Sequence, residues 1–358
     1  MADRLRLLLV LGPSTGGIGR HVQTLARELT ARGHDVLVCA PAATDETFAW
    51  ASTGAEFVPA PVGVVAAGSA ARSYRALRRA AAGRDVVHAH GGRVGAAAAT
   101  ARLHPLLVTW HNAPLGRRRM GQAALERIAA RGADLVLGAS EDLAERARRA
   151  GAREARFAAV AAPPLPPPTR TRAEVRAELG LGERPVVLAI ARLARQKRLD
   201  LLIEATRGWA DDPGQPVVVV AGEGRYRGEL EAHAAAARSP LRLLGHRSDI
   251  ADLLAAADVV ALPSDWEARP LVAQEALRVG APLVATDVGG VRGLVGEAAV
   301  LVPPGDAGAL GKALRELLAD PDRRGGLVTR GHDRAAGWPG VPQMVDELVD
   351  IYLDLMSR

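Results

Sequence analysis

Short apolar, β-branched runs alternate with longer alanine- and arginine-rich stretches along nearly the whole chain. In the first half, residues 5–11, 36–40, 86–89, 106–109 and 134–137 read as buried strands. Helical patterns lie between them at 18–32, 70–81, 94–103, 123–131 and 141–150, and Gly33 reads as the glycine that ends the first helix. The second half repeats the rhythm, with strands at 186–190, 217–221, 241–244, 259–261, 283–286 and 299–301. Its helices fall at 173–179, 201–209, 228–237, 250–256, 271–279 and 307–319, and a last amphipathic helix spans 344–355. Such alternation predicts an α/β fold of parallel sheets covered by helices.

Residues 163–168 hold five prolines in six positions, which no strand or helix interior tolerates. This semi-rigid connector divides two Rossmann-like, doubly wound domains, 1–162 and 169–337, from which 338–358 runs on as the final helix. A length of 358 residues agrees with two domains. Two such domains joined by a hinge imply a cleft, with ligands at the carboxyl ends of the strands.

Composition narrows the chemistry. Gly 38 and Pro 23 are too few for a low-complexity chain, and Cys39, the one cysteine, excludes an intrachain disulfide or a cysteine-ligated zinc cluster. The apolar run at 7–11 is too short for a signal peptide, and no window approaches 18 apolar residues. The expectation is a soluble, cytoplasmic protein. Net charge is +6, but only Lys197 and Lys312 among the 46 basic residues are lysines, as in a chain with arginine-rich codon usage; nucleic acid is not an expected partner. Lys312 falls on an amphipathic helix and reads as solvated.

Three loops after strands carry candidate chemistry. Gly12–Gly19 is a glycine-rich turn into a helix, where backbone amides can approach an anion. Its spacing is not G-x-G-x-x-G, and the second strand ends in Cys39-Ala-Pro without an acidic residue, so a dinucleotide fingerprint fits poorly. The second loop places Arg192 and Lys197 five residues apart, a guanidinium and an ammonium able to clamp a diphosphate. In the third, Glu267 precedes Pro270 at the expected first helical position, which leaves the amides of Leu271 and Val272 free, and Glu275 follows in the helix among apolar neighbours.

Gly16-Gly17, Arg192…Lys197 and Glu267-x7-Glu275 together resemble the retaining GT-B glycosyltransferases of family 4. The resemblance extends to Ala221-Gly-Glu-Gly224, to Leu244-Gly-His-Arg247 and to the segment from Pro282 to Gly290, and it covers essentially the whole chain. It implies a nucleoside-diphosphate sugar as donor and a small-molecule, lipid or glycan hydroxyl as acceptor. Arg192 and Lys197 would grip the diphosphate, Glu267 the sugar hydroxyls and Glu275 the ribose, with Pro270, Leu271 and Val272 at the phosphates. Gly16 and Gly17 would bring backbone close, His111 would sit beside the transferring sugar, and His90 would face the acceptor.

The chain departs from the family's usual glycines at Ala191 and Arg198, from Gly-Phe at Ala268-Arg269 and from Glu at Gly293. A guanidinium at 269, next to the sugar pocket, favours an acidic or unusually substituted sugar. His88 and His90 lie two apart on a strand and share a face. With His111 they suggest a metal, but no carboxylate sits at ligand spacing, and resembling enzymes need neither metal nor cofactor. Arg117-Arg-Arg119 reads equally as solvated surface or as a basic patch docking peripherally on the inner membrane face. Two other functions share the pattern, a non-hydrolysing nucleotide-sugar epimerase and a non-catalytic sugar-nucleotide-binding protein.

Overall fold

The computed structural model describes residues 4–63, 69–113, 119–212, 214 and 216–358. Two compact units emerge, Met1–Pro163 with Pro339–Arg358, and Pro164–Trp338.

The first unit holds a parallel seven-stranded sheet of β1 (Arg6–Leu11), β2 (Asp35–Ala40), β3 (Glu56–Pro59), β4 (Val86–His90), β5 (Leu106–Trp110), β6 (Leu135–Gly138) and β7 (Ala155–Phe157). The strand order is β3-β2-β1-β4-β5-β6-β7. Its helices are α1 (Gly17–Ala31), α2 (Ala43–Phe48), α3 (Ser69–Ala80), α4 (Gly92–Thr100), α5 (Arg119–Gly132) and α6 (Glu141–Arg149). Leu7, Leu9 and Leu11 pack against Val22, Leu25 and Leu29 of α1, while Leu8 and Val10 are buried on the opposite side of the strand. A strand covered on both faces reads as an unbroken apolar run, which is why β1 is visible in the sequence. α1 ends at Gly33 (φ +89°), where the His34 amide donates to Leu29 O and the Gly33 amide to Thr30 O, the paired bonds of a left-handed glycine stop.

The second unit is a parallel six-stranded sheet of β8 (Val186–Ile190), β9 (Val217–Ala221), β10 (Leu241–Gly245), β11 (Val259–Leu262), β12 (Leu283–Thr286) and β13 (Val300–Val302), ordered β10-β9-β8-β11-β12-β13. Around it lie α7 (Arg172–Glu178), α8 (Leu199–Ala205), α9 (Arg227–Ala237), α10 (Ile250–Ala256), α11 (Leu271–Val279), α12 (Val291–Val295), α13 (Ala307–Ala319) and α14 (Pro321–Ala336). The last helix, α15 (Val341–Ser357), packs Val345, Leu348 and Tyr352 into the first unit's core.

Several elements lack the expected pattern. β3 and β7 are sheet edges whose residues are mostly exposed, so they carry no apolar run. α14 has three glycines and buries only Leu327 and Gly331. It starts from local chemistry instead, with the Asp320 carboxylate accepting from the Arg323 amide and Pro321 in the first turn. Among the described residues, no helix is long and apolar enough to cross a membrane. In the basic segment, Arg117 and Arg118 lie outside the described residues.

Candidate functional site

In the second unit the strand order reverses between β8 and β11, so the loops that follow these two strands lie side by side at the topological switch point. Lys197 leaves the first loop and Glu267 the second, and the Lys197 ammonium donates to Glu267 Oε1 over 2.5 Å. Both side chains are largely withdrawn from water, at 20% and 10% relative exposure, so neither charge is stable there without the other or a ligand. Ser264 Oγ donates to the same carboxylate oxygen at 2.7 Å, and Thr286 Oγ1, at the end of β12, donates to Ser264 O at 2.6 Å.

The loops are stitched together. The Asp265 amide donates to Gln196 O at 2.9 Å and Gln196 Nε2 to Trp266 O at 2.9 Å. Arg198 adopts a left-handed conformation (φ +47°) that an L side chain rarely takes, held by Asp200 and by Asp265 at 2.8 Å. Behind Glu267, the Gly290 amide donates to Glu267 O at 2.9 Å, and Gly289 (φ +52°) approaches so closely that a Cβ there would lie 2.1 Å from that oxygen. Gly222, after β9, leaves similar space for Ala191 O beneath the Arg192 loop.

Other expected site residues are placed as follows. Arg192 is exposed on the loop that ends in Lys197. Pro270 is the extended N-cap of α11 rather than its first helical residue (ψ 126°), so the helix begins at Leu271, with Val272 next. Glu275 is buried within α11, and its charge partly offsets the burial that lowers the Arg278 pKa. Arg269 makes a contact that the sequence does not suggest. Its guanidinium lies 5.6 Å from the ring centre of Trp338, and burial, with Arg278 and Arg334 nearby, lowers its pKa to about 10. The cation–π contact anchors the guanidinium on that ring.

In the first unit the reversal falls between β1 and β4. Gly16 caps α1 and Gly17 is its first residue, while Ser14 Oγ accepts from the Gly19 amide at 3.1 Å. Gly19 itself is a packing glycine, since a Cβ would strike the Phe48 ring. His90 ends β4, His111 follows β5, and His90 Nδ1 lies 3.1 Å from His111 Nε2. His21 of α1 joins them, with ring centres 5.6 Å and 5.1 Å from His90 and His111. Nothing in the spacing of the chain reveals His21, because it comes from a different βα unit.

His88 does share a face with His90, at 4.1 Å between ring centres. Both its nitrogens are occupied, Nδ1 by the Tyr352 hydroxyl at 2.8 Å and Nε2 by Thr109 Oγ1 at 2.7 Å, which removes it from any metal set. Burial holds these imidazoles neutral, lowering His21 to about 4, His88 to about 3, and His90 and His111 well below the usual range.

Comparison with known proteins agrees with this arrangement. Residues 171–334 match the family model for glycosyl transferases group 1, and residues 16–163 that for a glycosyl transferase 4-like domain. The D-inositol 3-phosphate glycosyltransferase of Xylanimonas cellulosilytica is 32% identical over 311 residues, covering 76% of this chain and 73% of that one. The α-D-kanosaminyltransferase of Streptomyces kanamyceticus is 31% identical over 190 residues, 51% of this chain and about half (49%) of its own length. Anabaena HepE, solved with UDP and glucose, superposes with a TM-score of 0.83 at 20% identity, over 97% of this chain and 99% of that one. Sucrose-phosphate synthase from Thermosynechococcus elongatus gives 0.80 at 21% identity, over 99% and 100%. The fold is the GT-B architecture, built from two parallel-sheet α/β domains. The chain belongs to the group 1 glycosyl transferases and is a family 4 glycosyltransferase.

Proposed function

We propose that the enzyme transfers a sugar from a nucleoside-diphosphate sugar to an acceptor hydroxyl with retention at the anomeric carbon. The observation that carries this reading is the Lys197–Glu267 pair at the switch point of the second unit. An ammonium suited to phosphate and a carboxylate suited to sugar hydroxyls stand there within one hydrogen bond.

In this reading Lys197 and Arg192 hold the diphosphate and stabilise the charge that grows on it as the sugar departs. The α11 amides of Leu271 and Val272 add donors at the phosphates, with Pro270 setting the helix start. Glu267 accepts from sugar hydroxyls and Glu275 from the ribose. In the first unit, Gly16 and Gly17 admit the diphosphate close to backbone, His111 meets the sugar, and His90 stands on the acceptor side. The anomeric carbon loses its bond to the phosphate oxygen as the acceptor oxygen bonds on the same face. The departing phosphate takes the acceptor's proton, so atoms balance without a cofactor.

The acceptor is a hydroxyl of a small molecule, lipid or glycan. HepE is described in complex with UDP, which makes uridine the first base to test. A thermal-shift screen against UDP, GDP, ADP and dTDP should raise the melting temperature with one of them. Product analysis with the matching donor sugar should then show the donor's anomeric configuration preserved. No shift with any of the four, or an inverted product, contradicts the reading.

A further inference from the structure

We propose that Ser264 is a positioning residue for the donor. It keeps the Glu267 carboxylate in place when Lys197 turns from that carboxylate to the diphosphate, so that one carboxylate oxygen stays presented to the sugar. The inference rests on the reading of Lys197 and Glu267 given above. The two oxygens of Glu267 are unequally used. Oε1 accepts from Lys197 Nζ at 2.5 Å and from Ser264 Oγ at 2.7 Å, whereas Oε2 accepts no hydrogen bond among the described residues. Oε1 is therefore the anchored atom, and Oε2 is the one left for a ligand hydroxyl.

The surroundings of Ser264 suit that hold. Ser264 and Thr286 are each 1% exposed, so water does not compete for their hydroxyls. Thr286 Oγ1, at the end of β12, donates to Ser264 O at 2.6 Å and pins the serine backbone. β11 and β12 are themselves paired through Leu262 and Ala285, so the Ser264 hydroxyl sits on the sheet frame and not on the loop that carries Lys197. A diphosphate that draws the ammonium away removes one of the two donors on Oε1. In a site this withdrawn from water, a carboxylate with no other donor would follow the ammonium. The Ser264 bond is charge-assisted and independent of Lys197, so it holds the carboxylate through the exchange. Lys197 can then change partner while Oε2 keeps facing the sugar.

The test is calorimetry with UDP, GDP, ADP and dTDP and with the glucose conjugate of each, carrying forward the pair that binds the unaltered chain. In Ser264→Ala the conjugate should bind roughly tenfold more weakly, as for one lost hydrogen bond to a charged group, while nucleoside diphosphate affinity changes by less than about threefold. A general defect in folding would weaken both alike. Ser264→Thr, which keeps the hydroxyl, should restore conjugate binding. In a Glu267→Ala chain, adding Ser264→Ala should cost nothing further, because the serine acts through that carboxylate. If Ser264→Ala binds the conjugate as the parent does, or loses the same factor with and without Glu267, the proposal is overturned and the donor site still stands. If none of these compounds binds the unaltered chain, the donor reading falls and this inference falls with it.

Discussion

Lys197 Nζ and Glu267 Oε1 stand 2.5 Å apart, so the cation proposed to hold the diphosphate is neutralised by the carboxylate proposed to hold the sugar. A free nucleoside diphosphate must compete with Glu267 for Lys197, while a nucleotide sugar engages both. Glu267→Gln should therefore separate the two ligands. Affinity for the matching nucleoside diphosphate should rise roughly threefold to tenfold, about 1 kcal/mol, while transfer falls steeply. Calorimetry and initial rates check this, and weaker diphosphate binding would contradict it.

Gly289 supports that carboxylate from behind. Its positive φ and a Cβ position 2.1 Å from Glu267 O leave no room for a side chain. Gly289→Ala should cost roughly 2–4 kcal/mol through strain and a displaced 266–267 backbone, and should lower transfer as well. Urea unfolding measures the first and kinetics the second; a variant with the stability of the parent would refute the packing argument.

Tyr352 ties the last helix to the first unit through its bond to buried His88. In Tyr352→Phe the His88 nitrogen loses its partner without access to water, at a cost of about 1–3 kcal/mol. Thermal unfolding should show a drop of several degrees, whereas an unchanged melting temperature would mean that the bond contributes nothing.

Cys39 is fully buried in β2, and burial pushes its thiol up to about 12. At pH 8 only about one thiol in 10,000 would be ionised, and reagent cannot reach it. A disulfide reagent should label the native chain negligibly over an hour and label one thiol at once in denaturant. Rapid stoichiometric labelling of the native chain would show that β2 opens readily.

Much of this architecture is legible in the chain because parallel strands buried on both faces are continuous apolar runs. β8, β9 and β12 begin and end where the pattern does, as do α10, α11 and α13. Edge strands β3 and β7 and the glycine-rich α14 bury too little to leave a pattern. The same division holds at the site. Lys197 and Glu267 are readable because each occupies a loop after a buried strand. Ser264 and Thr286, which orient Glu267, and His21, which completes the histidine cluster, act across sequence separations that no local pattern encodes. The contact of Arg269 with Trp338 is unreadable for a related reason, since the two residues lie 69 positions apart in the chain.

The most direct test is the binding of the matching nucleoside diphosphate to Lys197→Ala by calorimetry, beside Lys312→Ala as an exposed control. Lys197→Ala should bind at least tenfold more weakly while the control binds as the parent does, because only Lys197 stands at the switch point. Equal affinity in parent and Lys197→Ala would remove the diphosphate from this loop and contradict the proposed site.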